Sequence, residues 1–171
     1  MNESGVSQAR EMVEAIIPVL EQINEVLADL NKRFGYKLVP GLKTVSDEER
    51  KKAMDILIEV GGVDFSNEYM PFLFLMNGFD INGVRLHGVT DNAEDFNDIR
   101  MAEIRKISAP EFIDENLVNM VVVGQTGTDV IVYNKNEGIF ELRDRIGTDT
   151  VYESFDSIKG VLQRLSEEIK P

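Results

Sequence analysis

The chain has no cysteine and no tryptophan, and one histidine in 171 residues. Without cysteine there is no disulfide, no thiol nucleophile and no thiolate metal site. A zinc site needs more nitrogen or sulfur ligands than His87 alone supplies. A Ser-His-Asp arrangement would have to use that same residue. His87 ends a predicted strand just before Gly88, which reads as a structural or surface position. Long apolar runs are also missing, and none reaches the roughly 20 residues that span a bilayer. The start, Met1-Asn2-Glu3-Ser4, lacks the basic region and apolar core of a secretory signal, so the expected location is the cytoplasm. Basic residues are scarce: 18 Lys and Arg stand against 31 Asp and Glu, a formal net charge of −13. This balance opposes binding to nucleic acid or to an anionic membrane. It favours encounter with a basic protein, although it also suits plain solubility.

What is present reads as one α+β unit. Hydrophobic residues make up 43% of the chain, enough for a single core. Val13, Ile16, Leu20, Ile23, Leu27, Leu30 and Phe34 recur at spacings of three and four, the stripe of a long helix. The stripe either packs on its own domain or pairs with another chain as a homodimer. Pro18 inside it either kinks the helix or opens a second one, and Gly35 is the expected stop. After a connection holding Pro40 and Gly41, Ser46-Asp47-Glu48-Glu49 forms a capping box. The helix it opens should face Ala53, Met54, Leu57, Ile58 and Val60 inward and end at Gly61-Gly62. A third, buried helix is expected over 67–76, closed by Asn77-Gly78.

Beyond Gly78 the period changes. Val84–His87 alternates as a strand, and 90–102 reads as a polar loop followed by a short helix. Val118–Val123, apolar apart from Asn119, reads as a central strand buried on both faces. Val130–Tyr133, Ile139–Leu142 and Thr150–Tyr152 follow as strands separated by turns. From Ser154 a final helix should bury Phe155, Ile158, Val161, Leu162, Leu165 and Ile169. The fold class is α+β: a single antiparallel-rich sheet with helices packed on it. Residues 1–45 form an N-terminal helical extension and residues 46–171 the α+β domain, together one compact unit.

Residues 65–169 resemble the SUKH superfamily, the fold of the yeast cell-wall-assembly regulator and of many bacterial toxin-immunity proteins. The resemblance rests on four features in order. Glu68-Tyr69 leads into Phe72-Leu73 and Asn77-Gly78-Phe79. Val84-Arg85-Leu86-His87-Gly88 is similar to the family's first main strand. Met120–Gly124, a turn and Asp129–Tyr133 are similar to its central hairpin. Val151-Tyr152, then Ser154-Phe155 and a closing helix, complete the order. Gly127-Thr128-Asp129 stands where the family carries a Gly-Asp pair, and the N-terminal helix lies outside the resemblance. The resemblance implies a non-enzymatic module that binds and blocks a basic toxin domain, often a nuclease, with no cofactor. A cytoplasmic scaffold or regulator that self-associates is the alternative.

The residues themselves offer one surface for such a role. Asp91, Glu94, Asp95 and Asp98 fall in a stretch with no Lys or Arg between Arg85 and Arg100. They do not match a calcium-binding helix–loop–helix pattern, and a solvated acidic loop is the plainer reading. As a binding surface they would steer a basic partner and mimic phosphate groups. Asp129 is either a turn-stabilising side chain or a further contact residue. Gly124 and Gly127 are not followed by Lys-Ser or Lys-Thr, so no phosphate loop is expected. A hairpin turn needing positive φ is the expected reason for both.

Overall fold

The computed structural model describes residues 3–34, 41–107 and 114–169. In chain order the elements are α1 (Glu3–Phe34), a 3-10 turn (Leu42–Thr44), α2 (Asp47–Leu75), β1 (Phe79–Ile81), β2 (Val84–Leu86) and α3 (Ile99–Ile107). A second 3-10 turn (Glu115–Leu117), β3 (Met120–Gln125), β4 (Asp129–Asn134), β5 (Ile139–Asp144), β6 (Val151–Phe155) and α4 (Ile158–Ile169) follow. The strands form a six-stranded sheet in simple chain order, every neighbouring pair antiparallel. This is the α+β class that the change of period along the sequence implies.

Side chains alternate across the strands. On one face Ile131, Tyr133, Phe140 and Leu142 join Val121 and Val123 in the core. Helices cover this face, and α1 lies against both α2 and α4. Ile16, Leu20 and Ile23 of the first stripe are buried in the same core, with Val19 beside them. The described part of the stripe therefore packs within its own chain. The expectations for Leu27, Leu30 and Phe34 lie outside the described side chains, and those for Gly35 and Pro40 outside the described residues. Helix α1 runs through Pro18 without a second start. The proline is exposed, so water can replace the amide donor it lacks.

The expected break at Gly61-Gly62 is present in α2, but the second helical stretch begins directly after it rather than at about residue 67. Gly62 does break the helical geometry (φ 89°, ψ 176°), but the chain resumes the helix at once and carries it to Leu75. The reason is burial: Phe65, Tyr69, Phe72 and Leu73 recur at helical spacing, and each is fully buried. Their rings form a packed file, with Phe65 5.3 Å from Tyr69, Tyr69 5.4 Å from Phe72, and Phe65 5.2 Å from Tyr133 on the sheet. Pro71 thus sits late in a long helix, buried, rather than in a first turn. The capping box forms as expected: Glu49 N donates to Ser46 Oγ at 3.3 Å, and Ser46 N donates to Glu49 Oε2 at 2.9 Å. Ala53, Ile56 and Leu57 face inward, whereas Met54 and Ile58 are exposed. The helix offers more apolar positions than its one buried stripe can hold.

Three further readings are corrected. Val118 is exposed ahead of β3, which begins at Met120. Phe155 belongs to the end of β6, and α4 starts only at Ile158. Neither Gly124 nor Gly127 has positive φ. Gly124 is needed because a Cβ there would lie 2.2 Å from the Arg85 carbonyl oxygen on β2. It sits at a register shift in β3 that lets the two backbones close up.

Candidate functional site

The acidic segment emerges from a tight backbone junction. Asn77 follows α2, and its side-chain amide imitates a strand partner for Val89. Nδ2 donates to the Val89 carbonyl at 2.8 Å, and Oδ1 accepts from the Val89 amide at 2.8 Å. Gly78 (φ 80°) and Gly88 meet here main chain to main chain. A Cβ on Gly88 would lie 2.4 Å from the Asn77 carbonyl oxygen. Gly88 N donates to Asn97 O and Gly88 O accepts from Ile99 N, both at 2.9 Å. The loop from Val89 to Asp98 is therefore pinned at both ends to one point beside β2.

Asp98 locks that point. It stands just before α3, and its carboxylate accepts from the amides of Thr90 (2.7 Å) and Arg100 (2.8 Å). The Arg100 guanidinium folds back on it through Nε at 2.8 Å and Nη2 at 2.9 Å, and the Asp98 side chain is wholly buried. Burial alone would raise its pKa. The hydrogen bonds from Arg100 and Thr90 and the guanidinium charge outweigh it and hold the carboxyl below its ordinary value. Arg100 is raised in turn, first by its hydrogen bond to Asp98.

The other carboxylates of the run have different surroundings. Asp91 is exposed and pairs with Lys52 Nζ on α2 at 3.0 Å. Glu94 is exposed, and its amide is held by Asn92 Oδ1 at 3.0 Å. Asp95 is partly exposed and accepts from Asn97 N at 2.8 Å, closing a turn. Asp129 lies away from this loop, buried at the β3–β4 turn. There its amide donates to Thr126 Oγ1 at 3.0 Å while Oδ2 accepts from that hydroxyl at 3.1 Å. Asp91, Glu94 and Asp95 are thus exposed or partly exposed along the loop, with Asp91 paired to Lys52. Asp98 and Asp129 are spent on internal bonds.

Sequence reading missed the other half of this surface. An open groove of about 430 Å3 runs beside the loop, lined by Glu48, Lys51, Lys52, Asp55, Glu59 and Arg100 among others. Glu48, Lys52, Asp55 and Glu59 stand at helical spacings of four, three and four, which put them on one face of α2. That periodicity was available in the sequence, but not the fact that this face looks toward the loop. Phe96 is also part of the loop. Its ring is 43% exposed, and the Arg85 guanidinium lies over it, 3.7 Å from the centroid. Asp80 clamps Arg85 from the other strand of the β1–β2 hairpin.

A second acidic pair lies elsewhere, on the later part of α2. Burial, and then the neighbouring charge of Asp64, raise the Glu68 pKa. A raised carboxyl contributes stability that is complete below its unfolded pKa and is lost as pH rises through the folded value. Glu68→Gln should therefore raise Tm at pH 7 by about 2 °C, a small effect because Glu68 is partly solvated. The gain should vanish near pH 4, and scanning calorimetry at both pH values checks it.

His87 is buried. It accepts a 2.7 Å hydrogen bond at its carbonyl from Tyr69 Oη. Among the described residues no group of three or more His, Asp or Glu is placed to hold a metal ion. Among the same residues no helix is long and apolar enough to cross a membrane. No family model matches the chain, and no curated protein matches it.

Proposed function

We propose that this is a non-enzymatic protein-binding module of the immunity type, which captures a basic toxin domain through the loop 90–98 and the adjoining face of α2. The observation that carries the reading is the ordered loop itself. It carries Asp91, Glu94 and Asp95 at exposed or partly exposed positions while Asp98 is consumed in fixing it. Its ends are tied to Gly88, so little conformational entropy is lost on binding. Glu48, Asp55 and Glu59 on α2 add further acceptors beside the loop, interleaved with Lys51, Lys52 and Arg100. The excess of 13 negative charges gives long-range attraction for a cationic partner. The segment order that resembles the SUKH superfamily supports the same class of function.

The test begins with capture of a partner from native lysate, followed by kinetics with that partner made separately. The triple variant Asp91→Asn, Glu94→Gln, Asp95→Asn should lower the association rate constant about tenfold at low salt. A control variant, Glu11→Gln, Glu21→Gln, Glu25→Gln, changes net charge equally at exposed sites on α1. It should leave the rate within about twofold. Equal slowing by both variants would reduce the loop to a share of the overall charge and sink the assignment of the site.

A further inference from the structure

The far edge of the sheet carries a different surface. β6 is the terminal strand and pairs only with β5, so among the described residues no strand covers its outer edge. At its start the β5–β6 turn holds Ile146 almost entirely in solvent, 97% exposed, with Tyr152 at 56% and Val151 at 41%. An isoleucine in that position costs solubility and contributes nothing to the core.

The turn that presents it is nevertheless tightly built. Asp144 Oδ1 accepts from the amides of Ile146 (2.7 Å) and Gly147 (2.8 Å), while Oδ2 accepts from Tyr152 Oη at 2.5 Å. One carboxylate thus fixes the apolar tip and the aromatic ring beside it. The Arg145 amide donates to Thr128 O at 3.0 Å, and the Arg143 guanidinium donates to Thr148 O at 2.8 Å. Tip and edge are pre-organised, the condition under which a small apolar contact yields affinity.

Charge selects what can cover them. Asp144 opens the turn, and Asp149 follows in it at an exposed position. Arg145 is the one cation in the segment 144–150. A second copy of the chain would set these carboxylates against their own kind, on top of a net charge of −13 on each copy. An extended partner segment with lysine or arginine alternating with apolar residues meets every requirement. Its backbone completes the sheet edge, its apolar side chains cover Ile146 and Tyr152, and its cations face the aspartates. We propose that the outer edge of β6, with Ile146 and Tyr152 as anchors, takes such a strand from a partner protein by β-addition. The surface stands on residues apart from the loop 90–98 and shares with the preceding reading only the basic character of the partner.

The probe is a ten-residue peptide alternating lysine with valine, added to the full 15N-labelled chain. Saturating peptide should slow amide exchange across Val151–Phe155 at least tenfold. Ile146→Ser, at a fully exposed site and so neutral for folding, should weaken binding at least tenfold. The same peptide with alternate backbone amides N-methylated keeps its charge and side chains but cannot pair, and should give no protection. Equal binding by the methylated peptide would reduce the effect to charge and overturn strand addition. So would unprotected 151–155 amides, or protection that grows with protein concentration in the absence of peptide, the mark of a second copy. The Asp91, Glu94, Asp95 variant should keep the full peptide response, so this edge and the acidic loop fail or survive separately.

Discussion

Replacing Asp98 by alanine should cost the fold about 3 kcal/mol, seen as a lowered urea midpoint at pH 7 with an unchanged slope. The size follows from what the carboxylate does. It closes the loop by holding the Thr90 amide, it receives the Arg100 amide in the first turn of α3, and it neutralises the Arg100 guanidinium. Without it two amides and a cation lose their partner at a largely buried site. Arg100 keeps its bond to the Thr90 carbonyl and some solvent access, which holds the loss toward the low end for a broken buried pair. The pH dependence has a definite sign. The Asp98 pKa is depressed in the folded chain, so its contribution is present above the ordinary aspartate range and is lost as pH falls through the folded value. Wild type and Asp98→Asn should therefore differ most near neutrality and converge at strongly acid pH. The loop's amide protection should fall in the variant even where the rest of the core is intact, because Gly88, Asn97 and Ile99 are bonded at the same point.

Asp98 also marks where the sequence stopped being legible. Four carboxylates in one run look alike until Arg100 folds back on one of them, and nothing in the run says which. The capping box was readable because its parts lie three residues apart and need no tertiary partner. Gly61-Gly62 was readable as a break, and Gly62 is one. The helix continues because Phe65, Tyr69 and Phe72 have a sheet to bury against, which local sequence does not reveal. Strand β1 was overlooked although its signal was present. Asn82-Gly83 between Ile81 and Val84 takes up positive φ at both positions (50° and 83°), the geometry of a two-residue hairpin turn. The order of strands followed from their short turns. The tertiary pairings that make the candidate surface, Lys52 with Asp91 and Arg85 over Phe96, did not follow from anything local.

The largest single loss is expected at Glu141, on the sheet face opposite the aromatic core. Glu141 and Arg143 are buried there together, with Arg143 Nε donating to Glu141 Oε2 at 2.6 Å and Asn134 Nδ2 to Oε1 at 3.0 Å. Glu141→Ala would leave the Arg143 charge without its counterion and the Asn134 amide without its acceptor at a buried site, a loss of about 4 kcal/mol by urea unfolding. The pair itself is not an economical source of stability, because burying two charges offsets most of their attraction. The double variant Glu141→Leu, Arg143→Met should accordingly recover most of the lost stability. What it cannot recover is position. Arg143 holds the Thr148 carbonyl, and the Thr148 hydroxyl is bonded to Asp114 and Asn116 ahead of β3. Through these bonds the network fixes the turn that displays Ile146. Amide exchange in the 145–150 segment should therefore quicken at least tenfold in the double variant while the global unfolding midpoint returns toward wild type. Full protection of the turn in that variant would show that Asp144 alone sets it, and that the buried ion pair serves only the sheet.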